Sequence, residues 1–169
     1  FAVGFVGCES RAQKIQKHIT QLGDADATIR AHAAKELGRI GEPAVPALID
    51  ALRDGNPSLR ASAVWKLSEI GKPVKQIVPA LIRTLGDESE PVRVAASTAL
   101  VEMGEPAVPF LIDALNDANA EIRLHTAYAL GEIGEPADAI IPALIRKLND
   151  KEWNVGRVSV RALLNIGAR

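Results

Sequence analysis

The chain has 169 residues with 20 basic and 21 acidic side chains, a net charge of −1 that argues against a broad phosphate-binding surface. Hydrophobic residues make up 47% but aromatics only 4%, so the core is built from Ala, Leu, Ile and Val, which suit close-packed helices better than twisted sheets. No run reaches the ~20 apolar residues of a membrane-spanning helix, and one cysteine allows neither an intrachain disulfide framework nor a thiolate metal cluster.

In chain order, FAVGFVGCES at 1–10 is apolar, rich in small residues and ends at the single cysteine, after which charged residues begin at once. A bacterial secretory signal closes its apolar region in this way. Phe5-Val6-Gly7-Cys8 resembles a lipobox, with Phe5 in place of the usual Leu. The expectation is that residues 1–8 are the remnant of a signal and that Cys8 carries a lipid. That would place the protein at a bacterial cell envelope; the alternative is a cytoplasmic chain in which Cys8 packs as a small apolar residue.

The remainder repeats. GEPAVP stands at 41–46 and again at 104–109. The phase-setting glycines are Gly41, Gly71, Gly104 and Gly134, and Gly167 closes the series. Residues 41–103 align with 104–166 without a gap, and about half the positions are identical. A two-repeat unit has been copied once behind a divergent first repeat. The repeats run about 9–41, 42–71, 72–104, 105–134 and 135–169, with three extra residues in PVKQIVP (73–79) and PADAIIP (136–142).

Each repeat reads as two helices. Pro43 opens the first, where a missing N–H costs nothing. Val45, Leu48, Ile49 and Leu52 follow at helical spacing, and Pro46 is expected to bend the helix near its first turn. RDGNPS at 53–58 is turn chemistry. Leu59, Ala63, Val64, Leu67 and Ile70 form the apolar face of the second helix, closed by a left-handed Gly71. Trp153 falls in the corresponding turn DKEWN of the last repeat. An Asp in each turn is followed six residues later by an Arg: Asp24 and Arg30, Asp54 and Arg60, Asp87 and Arg93, Asp117 and Arg123. The Asp is expected to cap the second helix, and the Arg to reach the Asp of an adjacent repeat, making a ladder that fixes the stacking.

A proline in the first helix, an aspartate eight residues on and then an apolar residue followed by arginine resemble HEAT repeats. Here these are Pro46, Asp54 and Leu59-Arg60; Pro79, Asp87 and Val92-Arg93; Pro109, Asp117 and Ile122-Arg123. AKELGRIG (34–41) and AYALGEIG (127–134) are similar to the short subtype named after phycobilisome lyases. The resemblance covers about residues 10–169 and implies an all-α, right-handed α-solenoid of about five two-helix repeats. The departures lie at the two ends, where capping repeats differ. Gln16 replaces the proline, and Gly156 replaces the arginine, with Arg157 one position late and about 100° away around the helix.

In HEAT proteins the second helices line the concave face, the usual binding face. Counting from each turn Asp, the positions opposite the buried stripe fall four, eight, eleven and fifteen residues on, and the last three rows give the candidates. They are His32, Ser62, Ala95, His125 and Val158; Lys35, Trp65, Thr98, Tyr128 and Arg161; Arg39, Glu69, Glu102, Glu132 and Asn165. Here the repeats stop agreeing with one another, as residues free of packing duty can. The partner-binding candidates are His32, Lys35, Trp65, Glu69, Glu102, His125, Tyr128, Glu132 and Arg161. Trp, Tyr and Arg are frequent interface anchors, although Trp65 and Tyr128 could equally lie flat over a neighbouring repeat. The glutamates would form an acidic row, or merely keep the helix face solvated.

No catalytic residue, cofactor or metal is expected. The histidines His18, His32 and His125 are read as lying in different repeats without a metal-binding helical spacing. The His-Glu pairs that serve as ligands in di-iron HEAT-like hydroxylases do not occur. HEAT-like DNA glycosylases would need a basic groove, so no nucleic-acid partner is expected. The reading is a non-enzymatic scaffold for a protein partner, reaching a membrane only through Cys8. The alternative is an accessory or catalytic subunit of a phycobilin-lyase-like enzyme.

Overall fold

A computed structural model of the chain describes residues 9–168; the proposed lipobox and Cys8 lie outside the described residues. Among these, the backbone forms α-helices joined by short turns, with no strand. The first helices of the five repeats are α1 (Arg11–Gln21), α3 (Val45–Ala51), α5 (Val74–Thr84), α7 (Val108–Ala114) and α9 (Ala137–Ile145). The second helices are α2 (Ala27–Ile40), α4 (Pro57–Ile70), α6 (Glu90–Met103), α8 (Ala120–Ile133) and α10 (Trp153–Gly167). Each second helix packs on the first helix of its own repeat, and each set stacks on its own kind along the chain. The result is an all-α solenoid two helices thick. Its single continuous core is lined by Leu37, Leu48, Leu67, Leu81, Leu100, Leu111 and Leu130, all fully buried.

Local chemistry explains the repetition and corrects part of the reading above. Each turn Asp lies two residues before the helix cap rather than at it. Asp24, Asp54, Asp87, Asp117 and Asp150 accept the backbone N–H of residues 26, 56, 89, 119 and 152 at 2.8–3.0 Å. The caps themselves are Asp26, Asn56 and Asn119, whose side chains accept the N–H groups of Thr28, Ser58 and Glu121. At the other end of the second helices, Gly41, Gly71, Gly104 and Gly134 all have φ between 65° and 74°, a region costly for any residue with a Cβ. Gly167 does not join them; it is the last residue of α10. Trp153 opens that helix instead of lying in the turn before it.

The prolines behave in two ways. Pro46 and Pro109 do not bend a helix. They stand at the second position of α3 and α7, each preceded by a short 3-10 turn, Glu42–Ala44 and Glu105–Ala107. Pro79 and Pro142 lie inside α5 and α9, whose first turns are supplied by the three extra residues.

This alternation reaches the junctions between repeats. Where the longer repeats join (α4 to α6, α8 to α10), the expected ladder forms. Arg60 makes two 2.8 Å bonds to the carboxylate of Asp87, and Arg123 bonds Asp150 at 3.0 and 2.8 Å. Both arginines are buried, and each also donates to the carbonyl of its own turn Asp. The guanidinium of Arg123 holds Asp150 below the ordinary carboxylate range. Where the shorter repeats join, the rungs are missing. Arg30 and Arg93 bond only carbonyls of their own turns, although Arg93 also comes within 3.5 Å of Glu121. Close approach takes over. A Cβ added to Gly23 would stand 3.0 Å from both the Asn56 amide and Leu59, and one added to Gly86 only 2.7 Å from the Asn119 amide. At the first of these junctions the Asn56 amide donates to the Gly23 carbonyl at 3.1 Å. The 63-residue period therefore holds two different contacts, one ionic and one made by glycine.

Asn56→Ala should lower stability by about 2 kcal/mol, since it removes a cap and an inter-repeat bond together. Asp26→Ala, which removes a cap alone, should cost about 1 kcal/mol. Urea denaturation of both variants checks this; equal losses would mean that the Asn56–Gly23 contact adds nothing.

Candidate functional site

The face of the second helices turned away from the first helices carries the predicted residues. Their positions follow from the common starts and ends of α2, α4, α6, α8 and α10. His32, Lys35, Trp65, Glu69, Glu102, Tyr128 and Arg161 are exposed there. Trp65 and Tyr128 keep 43% and 41% of their surface accessible. Both rings are thus partly covered and partly open to solvent.

The row eight residues after the turn Asp is less open than its spacing suggests. Ala95 is buried at 4% exposure, and His125 is mostly covered. His32 of the same row is exposed, whereas His125 has Arg93 and Glu90 of α6 near it.

Two grooves mark the face. The larger, about 280 Å³, runs between α2 and α4 and is lined by Arg30, Ala34, Ser62, Trp65, Lys66 and Glu69. It lies at one of the junctions that lack an arginine–aspartate rung. Lys66 is buried and ion-paired to Glu69. Gly38 on α2 leaves room for this pair; a Cβ there would stand 3.2 Å from the Glu69 carboxylate. The second is a shallow crease between α8 and α10, lined by Tyr128, Gly131, Glu132, Val158, Arg161 and Asn165. At its floor the helices nearly touch, since a Cβ on Gly131 would come within 2.5 Å of that of Ala162.

The acidic row is tied to the scaffold at each step. Besides the Glu69 pair, the Ser68 hydroxyl lies 3.4 Å from Glu102, and the Asn165 amide donates to Glu132 at 3.3 Å and to the Gly131 carbonyl at 2.9 Å. Arg30, Ser62 and Lys66 are not among the partner-binding candidates. Ser62 and Lys66 stand on α4 with Trp65, whereas Arg30 comes from the neighbouring repeat, which spacing along one helix does not report.

The histidines are not all in separate repeats. His18 on α1 and His32 on α2 both belong to the first, and their rings meet edge to face with centroids 5.9 Å apart. The His18 ring nitrogen also lies 3.0 Å from Gln21. Glu36, held below its ordinary range mainly by its bond to Arg39, is near both rings. Among the described residues no group of three or more His, Cys, Asp or Glu is placed to hold a metal ion. His125 lies 3.7 Å from Glu121, yet burial outweighs that carboxylate and holds its imidazole below the ordinary value.

The comparisons agree with this geometry. The family model described as HEAT repeats matches residues 15–76, 46–118 and 108–169. No curated protein matches the chain. Among solved structures, a chain from the complex of CpcE and CpcF of phycocyanin lyase from Nostoc sp. PCC7120 is 25% identical, with a TM-score of 0.57 over 90% of this chain and 99% of that one. A chain from a structure of microtubule plus-end tracking by XMAP215, CLIP-170 and EB1 superposes at a TM-score of 0.67 with 18% identity, over 89% of this chain and 77% of the other. The MAST/Orbit N-terminal domain gives 0.66 with 19% identity, over 89% and 82%. The last two likenesses concern the fold alone.

His125 gives the site a pH dependence. Its folded imidazole takes up a proton less readily than the unfolded one, so its contribution is full above the unfolded pKa of about 6.5 and is lost as pH falls from there through the lower folded pKa. The urea midpoint should therefore fall more between about pH 7.5 and pH 5.5 in the native chain than in His125→Gln. Parallel falls would show that His125 is not the group responsible.

Proposed function

The chain belongs to the HEAT-repeat family, and we propose that it is a non-enzymatic scaffold that binds a protein partner along the concave face formed by its second helices. The observation that carries this reading is the division of labour within the 63-residue period. Positions that stack the repeats recur, whereas the outward rows that hold Trp65 and Tyr128 and His32 and His125 change from repeat to repeat. Trp65 and Tyr128, half-exposed and one period apart, supply the anchors, with Arg161 beside Tyr128. A preformed helical face loses little conformational freedom on docking, so a few such anchors suffice. The net charge of −1 and the glutamates on this face favour a protein over a nucleic acid.

A second reading has one specific support. The likeness to the lyase complex spans nearly the whole of that chain, and on this ground the protein is an accessory or catalytic subunit of a phycobilin-lyase-like enzyme. Nothing in the arrangement of the described side chains assigns a catalytic role to any of them.

Affinity capture with the native chain and with Trp65→Ala/Tyr128→Ala, read by mass spectrometry, separates these outcomes. The double variant should keep native helicity and retain its partner at least about tenfold more weakly. Undiminished capture would place binding elsewhere. A tetrapyrrole absorbance bound after co-expression with a bilin-carrying protein would favour the lyase reading.

A further inference from the structure

Four arginines hold the same place in successive repeats, and three of them face a carboxylate of the next repeat. Arg60 meets Asp87, Arg123 meets Asp150, and Arg93 lies 3.5 Å from Glu121. Arg30 has no such partner. Its Nη1 donates to the carbonyls of Asp24 and Ala25 at 2.7 and 2.8 Å, and Nη1 of Arg60 and of Arg123 is anchored on its own turn in the same way. The other edge of the guanidinium, Nε and Nη2, is the one on which Arg60 and Arg123 each take a carboxylate. In Arg30 that edge has no hydrogen-bond or ion-pair partner among the described residues. Asp26 lies close enough to feel the charge, but its carboxylate caps α2 through Thr28.

The opening follows from the residues that α4 brings to this junction. Gly23 and Gly86 receive the incoming helix in one register, against Asn56 and Leu59 in the first case and Asn119 and Ile122 in the second. In that register Ser58 stands where Glu121 stands one period later, and Ser62 where His125 stands. Glu121 lies between Arg93 and His125, 3.5 and 3.7 Å from them, so the later junction supplies its own acid. The earlier one does not. Ala31 likewise replaces Val94, and the smaller Ala31 and Ser62 line the groove of about 280 Å³ together with Arg30 and Trp65. Of the charged residues that line it, Lys66 and Glu69 are paired with each other, which leaves Arg30 uncompensated.

We propose that this groove is a carboxylate pocket: it takes an aspartate or glutamate side chain of the protein partner on the open edge of Arg30, with an apolar residue next to that acid lying on Trp65. The inference rests on the reading of the second-helix face as the binding face and adds the chemistry of what that face selects. A carboxylate matches the free edge with two parallel N–H···O bonds, as Asp87 does on Arg60. Two carbonyls already hold the half-buried Arg30, so little side-chain freedom is lost when it engages. One uncompensated cation beside one aromatic ring suits a single acid next to an apolar residue, whereas a polyanion requires a run of cations.

The probe is a random dodecapeptide library displayed on phage and selected in parallel on the native chain, on Arg30→Gln and on Trp65→Ala. A family of peptides with an acid next to an apolar residue should be enriched on the native chain alone. In a synthetic peptide of that family with blocked ends, changing the acid to its amide should weaken binding to the native chain at least about tenfold and change nothing on Arg30→Gln. Ser58→Glu keeps Arg30 and its anchoring and brings in the carboxylate that Glu121 gives to Arg93; it should weaken the acidic peptide by a similar factor. No enrichment, a native-only family without a shared acid, or an acidic peptide that binds Arg30→Gln and Ser58→Glu as tightly as the native chain would overturn the proposal. A family shared by the native chain and Arg30→Gln but lost on Trp65→Ala would remove the carboxylate pocket and leave the second-helix face as the binding surface. The same families on all three would count against both.

Discussion

The buried pairing of Arg60 with Asp87, and of Arg123 with Asp150, is the constraint on which the rest of this solenoid turns. A helix pair has no unique way to sit on its neighbour when the contact is made of Ala, Leu and Val alone, because many small rotations bury similar area. A guanidinium with almost no access to water removes that freedom. It must meet both carboxylate oxygens and the carbonyl of its own turn at once, and a displaced rung would leave a buried charge unpaired, at a cost of about 3 kcal/mol or more. The aspartate is fixed in turn, since it also accepts the N–H of the residue that begins the next helix. One interaction thus joins the end of a turn, the start of a helix and the stacking of two repeats.

The same logic explains why the sequence repeats every two units. The three extra residues before Pro79 and Pro142 lengthen α5 and α9, and it is across these repeats that the arginine reaches its aspartate. Across the shorter repeats Arg30 and Arg93 stay within their own turns, and Gly23 and Gly86 draw the neighbour in by lacking a side chain. The consequence for function lies on the opposite face. The groove beside Trp65 lies between α2 and α4, a pair without an ionic rung, while the crease beside Tyr128 lies over the pinned pair α8 and α10. The two kinds of junction therefore carry differently shaped recesses, lined by different residues. A surface of this kind can diversify without disturbing the core.

Much of this was legible in the sequence. The helical spacing of Leu59, Ala63, Val64 and Leu67, the glycine punctuation and the ungapped period gave the helix pairs and their order. The exposed positions of Trp65 and Tyr128 followed from counting along a helix. What spacing along one helix does not carry is the neighbour. The arginine–aspartate ladder was expected at every junction and forms at two, because its reach depends on how far α5 and α9 carry the next turn. Ala95 and His125 stand at positions that counting makes outward, yet the first is buried and the second half-buried. The meeting of His18 with His32, and the contribution of Arg30 to the groove beside Trp65, likewise belong to packing between helices. The side chain of the turn Asp suits a cap, but the residue two positions later has the extended backbone that a cap requires.

A pair of double-mutant cycles measures the difference between the two junctions directly. In the cycle of Arg60→Ala with Asp87→Ala, the coupling energy from denaturation should be about 2 kcal/mol, as for a buried, doubly hydrogen-bonded pair. In the cycle of Arg93→Ala with Asp117→Ala it should be near zero. Equal couplings at the two junctions would contradict the alternation of ionic and glycine contacts along the solenoid.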